Sequence, residues 1–218
     1  MKKLTLSILL VLTLMACEDR IKFEEPQPSN QRDLKKIPRK LRGTYFSTSD
    51  STYLVINDVT IIDCMNAELR ILKDSLDIEI DSTKIVNQSS DGIKVEYRKI
   101  ALLLRTYGDS ILVNYTYRDT LFEISERQVL RRLKGHYFLN YMWSETNWKV
   151  RRLTLENNQL TFSKVRLPED ITSLQEITNV NTIESDSGKV IGYKLKPTKG
   201  EMRKLVKQGF SETKSYKK

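Results

Sequence analysis

From residue 39 onward the chain is a succession of short runs in which apolar and polar residues alternate, each broken by a polar or glycine-bearing turn. A period of two puts successive side chains on opposite faces of an extended backbone, the pattern of a half-buried strand. Thr52–Ile56 is rich in β-branched and aromatic residues, Leu76–Ile80 alternates strictly, and Lys94–Tyr97 alternates too. Ile100–Leu104 is a continuous apolar run, which predicts a strand buried on both faces or a short helix. Gly108-Asp109-Ser110 breaks that run, Ile111–Tyr117 follows as a strand, and Leu121–Ile124 predicts another. Further on, Tyr137–Tyr141, Trp148–Leu155 and Leu160–Val165 predict strands separated by turns at Ser144–Asn147 and Glu156–Gln159. Thr182-Ile183 and Val190–Tyr193 flank Ser185–Gly188 as a hairpin.

Two segments change period. Ile171, Leu174 and Ile177 recur every third residue, which suits a short helix after Leu167–Asp170. Thr198 and Glu201 have the spacing of a capping box, in which each side chain satisfies a free backbone N–H at a helix start. Met202, Leu205 and Val206 form the apolar stripe of that helix, and Gly209 stands where a left-handed residue would end it, with Phe210 placed against Leu205. A helix of about eleven residues is marginal alone in water. The stripe is therefore expected to dock on the β body, leaving Lys199, Arg203, Lys204 and Lys207 outward, or to dock on a partner. Ser211–Lys218 is expected to fray. Residues 18–38 lack periodicity, carry Pro26, Pro28 and Pro38, and read as a flexible tether.

Arg39–Phe46 recurs as Arg131–Phe138, with Leu, Gly, Tyr and Phe identical and the three basic positions conserved in charge. The expected fold class is mainly β: an antiparallel meander, barrel-like or a sandwich, in two related halves with a C-terminal capping α-helix. The expected units are 39–130 and 131–218. The shared L-x-G-x-Y motif resembles the first strand of lipocalin-like barrels, where the glycine lets the backbone pack closely and the aromatic plugs the barrel base.

The beginning of the chain has a different character. Lys2 and Lys3 precede an apolar run from Leu4 to Met15, too short for a permanent membrane span. Leu14-Met15-Ala16-Cys17 then resembles the lipobox of bacterial lipoproteins. The resemblance implies removal of residues 1–16 as a signal peptide, thioether attachment of diacylglycerol to Cys17, and acylation of its new amino group with a palmitate-type chain. It places the protein in the cell envelope, lipid-anchored, at an outer membrane. Acidic residues such as Glu18 and Asp19 resemble a surface-export signal in lipoproteins of the Bacteroidota type but favour inner-membrane retention in enterobacterial ones. The periplasmic or surface face therefore stays open.

Charge and chemistry narrow the function classes. The 218 residues carry a net charge of +9. A basic chain can bind nucleic acid, but an exported, anchored one meets acidic lipid, lipopolysaccharide or another envelope protein instead. The runs around Arg127–Lys134, Lys149–Arg152 and Lys199–Lys207 read as solvated surface. One histidine and two cysteines leave no set of metal ligands and no disulfide framework. No phosphate-binding glycine loop or nucleophile elbow occurs, and no cofactor or catalytic residue is expected. His136 reads as a rim histidine and Cys64 as a small buried hydrophobe. Asp74, Asp77, Glu79 and Asp81 read as one solvated strand face. Tyr141, Trp143 and Trp148 bracket one loop and are the candidate contacts for a ligand or partner. The sequence thus points to a non-catalytic binding or structural module. The alternatives are an assembly or chaperone factor for envelope proteins and, third, a carboxylate-based envelope hydrolase.

Overall fold

The alternating runs fold as strands, and the polar breaks between them as tight hairpins. A computed structural model describes residues 20–73, 85–89, 92–168 and 171–218. The lipobox with Cys17, the acidic pair after it, the Leu76–Ile80 strand with its four carboxylates, and Glu169-Asp170 lie outside those residues. The strands are β1 (Ile21–Phe23), β2 (Gly43–Ser47), β3 (Thr52–Ile56), β4 (Thr60–Leu72), β5 (Ile85–Ser89), β6 (Gly92–Tyr97), β7 (Ile100–Tyr107) and β8 (Ser110–Glu123). They continue as β9 (Gln128–Leu133), β10 (His136–Ser144), β11 (Asn147–Glu156), β12 (Gln159–Val165), β13 (Val180–Glu184), β14 (Val190–Leu195) and β15 (Phe210–Lys217). Helix α1 covers Thr172–Gln175 and α2 covers Lys199–Gln208.

The fold is mainly β, with one large, mostly antiparallel sheet. Its strand order is β13-β14-β1-β11-β12-β15-β2-β3-β4-β8-β7-β6-β5, with β10 on β11 and β9 on β10. The sheet does not close into a barrel. Local chemistry sets its turns. Lys134-Gly135 joins β9 to β10 and Asn157-Asn158 joins β11 to β12, all four at positive φ. Paired positive φ values twist a two-residue turn in the same sense as its strands, which favours glycine and asparagine there. Ile100–Leu104 resolves as strand, within β7, and Ile111–Tyr117 and Leu121–Glu123 prove to be one strand, β8, which ends before Ile124.

Alternation gives the sheet two faces, and each buries a core. Along β10, Tyr137 and Leu139 join Leu153, Leu160, Phe162 and Tyr216 on one face. They meet Tyr45, Leu54, Ile61 and Phe122 from the β2–β3–β4–β8 side, so the sheet curls over its own inner face. Phe138 points the other way, into a second core with Trp148 and Val150, capped by Leu174 of α1 and by Met202 and Leu205 of α2. Full burial of one such side chain contributes roughly 1.5–3 kcal/mol. The capping box forms as expected: Thr198 accepts from the Glu201 N–H, and the Glu201 carboxylate accepts from the Thr198 N–H at 2.8 Å. Met202 and Leu205 are fully buried, so the helix docks on the body.

Several expectations are corrected. Residues 21–37 are not a tether. Ile21 and Phe23 fill the second core, and β1 runs parallel to β14, with Ile21 opposite Tyr193. The stretch that follows lacks periodicity because its backbone is satisfied by side chains and single contacts rather than by a ladder. Asn140, fully buried on β10, donates to the Gln27 carbonyl at 2.9 Å and accepts from the Gln27 N–H. Arg131 donates to Asp33 at 2.7 Å. The Leu34 N–H then bonds the Leu130 carbonyl at 2.8 Å and the Ile37 N–H bonds that of Asp58 at 2.6 Å. Residues 34–37 thus span the seam between β9 and the β3–β4 turn. Ser211–Lys218 is not frayed: β15 pairs with both β12 and β2, and Tyr216 is buried. Gly209 ends α2 in a right-handed conformation, not a left-handed one.

The two copies of the repeated motif sit differently in the structure. Arg39–Leu41 forms a 3-10 turn, whereas Arg131–Leu133 lies within strand β9. Phe46 is 60% exposed and Phe138 fully buried. The inward tyrosines, Tyr45 and Tyr137, are both buried in the first core. The first core draws on both sides of residue 130, and β9 crosses that boundary, so 39–130 and 131–218 do not bury separate cores.

Candidate functional site

The three aromatic residues singled out from the sequence separate in the fold. Tyr141 packs edge-on against Phe122 at 5.5 Å, and burial raises its phenol pKa above the ordinary value. Trp148 lies on the opposite face, in the second core, opposite Phe23 and Met142. Neither offers a surface to a partner. Trp143 does: it is 58% exposed, with the Lys149 ammonium 3.8 Å and the Lys22 ammonium 4.5 Å from its ring centroid. A cation over an indole face is held by the ring quadrupole, so this aromatic is both exposed and fixed.

A concave surface of about 480 Å³ lies where the second face of the sheet runs out beyond α2. His136, Arg152, Thr154, Glu156, Thr161 and Glu212 line it. Register explains the set: Phe138 stands opposite Arg152, Arg152 opposite Ser163, and Thr154 opposite Thr161, so one sheet face carries them all. His136 Nδ1 lies 3.0 Å from the Thr154 hydroxyl, and burial, then the Arg152 charge, lower its pKa. The imidazole is accordingly neutral at neutral pH. Arg152 donates to the Val206 carbonyl at 2.6 Å and to the Ser163 hydroxyl at 3.3 Å, with its guanidinium over the Phe210 ring. Glu212 accepts from the Ser215 hydroxyl, which accepts from Gln159 Nε2 at 3.0 Å. The Arg152–Val206 bond ties the end of α2 to the sheet, and among the described residues no hydroxyl or thiol other than that of Thr154 is bonded to the imidazole.

A third cluster escaped the sequence reading. Leu54, Asp63 and Asp119 stand in one cross-strand row, which puts two carboxylates on the face of the first core. Lys214 and Tyr216 reach the same region from β15, opposite Phe162 and Leu160. The Lys214 ammonium lies 2.9 Å from Asp50 and 2.7 Å from the Thr52 hydroxyl. Hydrogen bonds from Thr52, then Lys214, hold the Asp50 carboxyl below its ordinary range. Asp63 is the odd member: its Oδ1 is buried without a hydrogen-bond partner, and desolvation pushes its pKa up against the pull of Lys214. The signal for Asp63 was its interruption of the apolar run Ile61–Met65. Lys214 and Tyr216 were hidden in a segment read as frayed.

Cys64, read as a small buried hydrophobe, is buried, and burial raises its thiol pKa. Among the described residues no three His, Cys, Asp or Glu side chains gather where a metal ion could be held, and no helix is long and apolar enough to cross a membrane. No family model, curated protein or solved structure matches the chain, so the reading of its function is built on its own residues.

Proposed function

We propose that the chain is a non-catalytic, lipid-anchored module of a bacterial cell envelope. It is fastened to the outer membrane through lipid on Cys17 and works by binding or scaffolding. The observation that carries this reading is the ordered series at the start of the chain: two lysines, a short apolar run, and Leu14-Met15-Ala16-Cys17. Two or more acyl chains hold a protein stably on a bilayer, at ~0.8 kcal/mol per buried CH₂, where a single chain holds only marginally. The geometry of the body is in keeping with a binding role. Its polar concavity is engaged in internal hydrogen bonds, and its exposed, cation-held aromatic is Trp143. Metabolic labelling tests the anchor. The wild-type protein is expected to incorporate labelled palmitate and fractionate with membranes, whereas Cys17→Ser loses the label and accumulates as precursor. Label retained in Cys17→Ser defeats the assignment.

A further inference from the structure

Three neighbouring strands, β14, β1 and β11, carry basic residues across one face of the sheet, beside Trp143 of β10. Lys22 of β1 stands opposite Lys194 of β14, and Lys149 of β11 stands opposite Tyr141 of β10. Lys149 and Lys22 meet over the ring of Trp143, with Lys22 itself buried beneath the indole at 7% exposure. Arg151, one alternation along β11, faces Lys164 of β12 and is exposed. This is the sheet face that holds the first core at Leu139 and Leu153. Beyond the last core residue it turns basic and presents an indole. Glu24, two residues on from Lys22, is paired with Lys196 at 3.0 Å.

The chain enters the fold at the edge of this surface. The Arg20 carbonyl accepts from the Tyr193 N–H at 2.7 Å. It sits so close to Gly192 that a Cβ there would come within 2.6 Å of its oxygen. In the sequence, only Glu18 and Asp19 separate Arg20 from Cys17. Fully extended, that distance is at most roughly 11 Å. An acyl anchor so near Arg20 in sequence gives the body no long lead, so the surface around Arg20 must lie near the lipid headgroups.

We propose that the basic face centred on Trp143 is the surface laid against an anionic phospholipid bilayer, with the indole at headgroup depth and Lys149, Arg151 and Lys164 toward the lipid phosphates. This rests on the lipidation of Cys17. Charge and chemistry select the occupant. Indoles favour the membrane–water interface, where one side is apolar and the other wet. Lysine and arginine are drawn to anionic headgroups within about a Debye length. Long basic side chains bury their stems while the charge stays in water, so lysines around a half-exposed tryptophan suit that depth.

The test uses the full chain purified in acylated form and reconstituted into vesicles of phosphatidylethanolamine, alone or mixed with phosphatidylglycerol, with part of the lipid brominated on its acyl chains. Emission of Trp143 is taken as the difference between wild type and Trp143→Phe; buried Trp148 is the internal reference. Brominated lipid is expected to quench Trp143 at least about twofold more in the anionic vesicles. Lys149→Glu with Arg151→Glu should abolish that excess, while Lys204→Glu on α2 keeps it. If the double reversal fails to fold, by its melting curve, Lys149→Gln with Arg151→Gln replaces it. Acylated protein bound to vesicles with Trp143 unquenched overturns this face and leaves the anchor standing. Protein without an acyl chain overturns the anchor; if it still binds anionic vesicles with Trp143 quenched, the face stands alone, and if it does not, both fall.

Discussion

Replacing Asn140 by alanine would strand the Gln27 N–H and C=O inside the protein. A buried polar group left without its partner costs about 1–3 kcal/mol. Asn140→Ala should therefore lower stability to urea by about 3 kcal/mol, and amide exchange near Gln27 should quicken. Asp63 predicts the opposite sign. Its folded pKa is raised by burial above the ordinary 3.8, so the native state binds a proton more tightly than the unfolded one. The stability this gives is present below pH 3.8 and is lost as pH rises through the folded value. Asp63→Asn should accordingly raise stability to urea at pH 7, and the difference should vanish near pH 3. A gain that persists at pH 3 would show that repacking, not charge, is responsible. Neither residue was read as special in the sequence. Asn140 sits in an otherwise ordinary strand pattern, and its partner lies in a segment with no pattern at all.

At the scale of elements, legibility followed period and punctuation. Strands with clean alternation and an asparagine or glycine turn, such as β11 and β12, were bounded to within a residue or two. The capping box located α2 because it is a local arrangement of hydrogen bonds that needs no distant partner. β1 and β15 were missed for the opposite reason. β1 is three residues long, and β15 carries Lys, Glu and Ser at positions whose fate depends on which strands flank it. Each becomes a strand only through edges supplied elsewhere. The two copies of the repeated motif differ for the same reason: glycine and tyrosine fix a strand start, but neighbours decide whether the preceding residues extend or coil. Helix α2 supplies the test at this scale. Leu205→Ala should cost about 2–5 kcal/mol, as for large-to-small changes in a core, whereas Lys204→Glu, exposed on the helix, should change the melting temperature little. Unchanged melting for Leu205→Ala would mean the helix contributes nothing to the body.

At the scale of the molecule, β15 joins the sheet's two wings, since it lies between β12 and β2. It also delivers Tyr216 to the shared core and Lys214 to the carboxylate cluster. Ending the chain after Gly209 should therefore abolish cooperative melting rather than merely lower the midpoint, as seen in a thermal scan followed by near-UV circular dichroism. A sharp transition in that truncation would show that the wings hold together through the core alone.

If the chain is exported as proposed above, the placement of β15 bears on its passage across the membrane. Thr48 and Ser215 hydrogen-bond across 167 residues of sequence, and contacts of such separation are slow to form because a long loop must close first. A polypeptide threaded through an export channel from its N-terminal side presents both wings well before the strand that unites them. Until β15 emerges, the sheet has an open gap at its middle, so the chain stays pliant through most of its passage. The same delay leaves two unpaired edges exposed to other chains in the compartment it enters, a window in which a folding helper would have its effect.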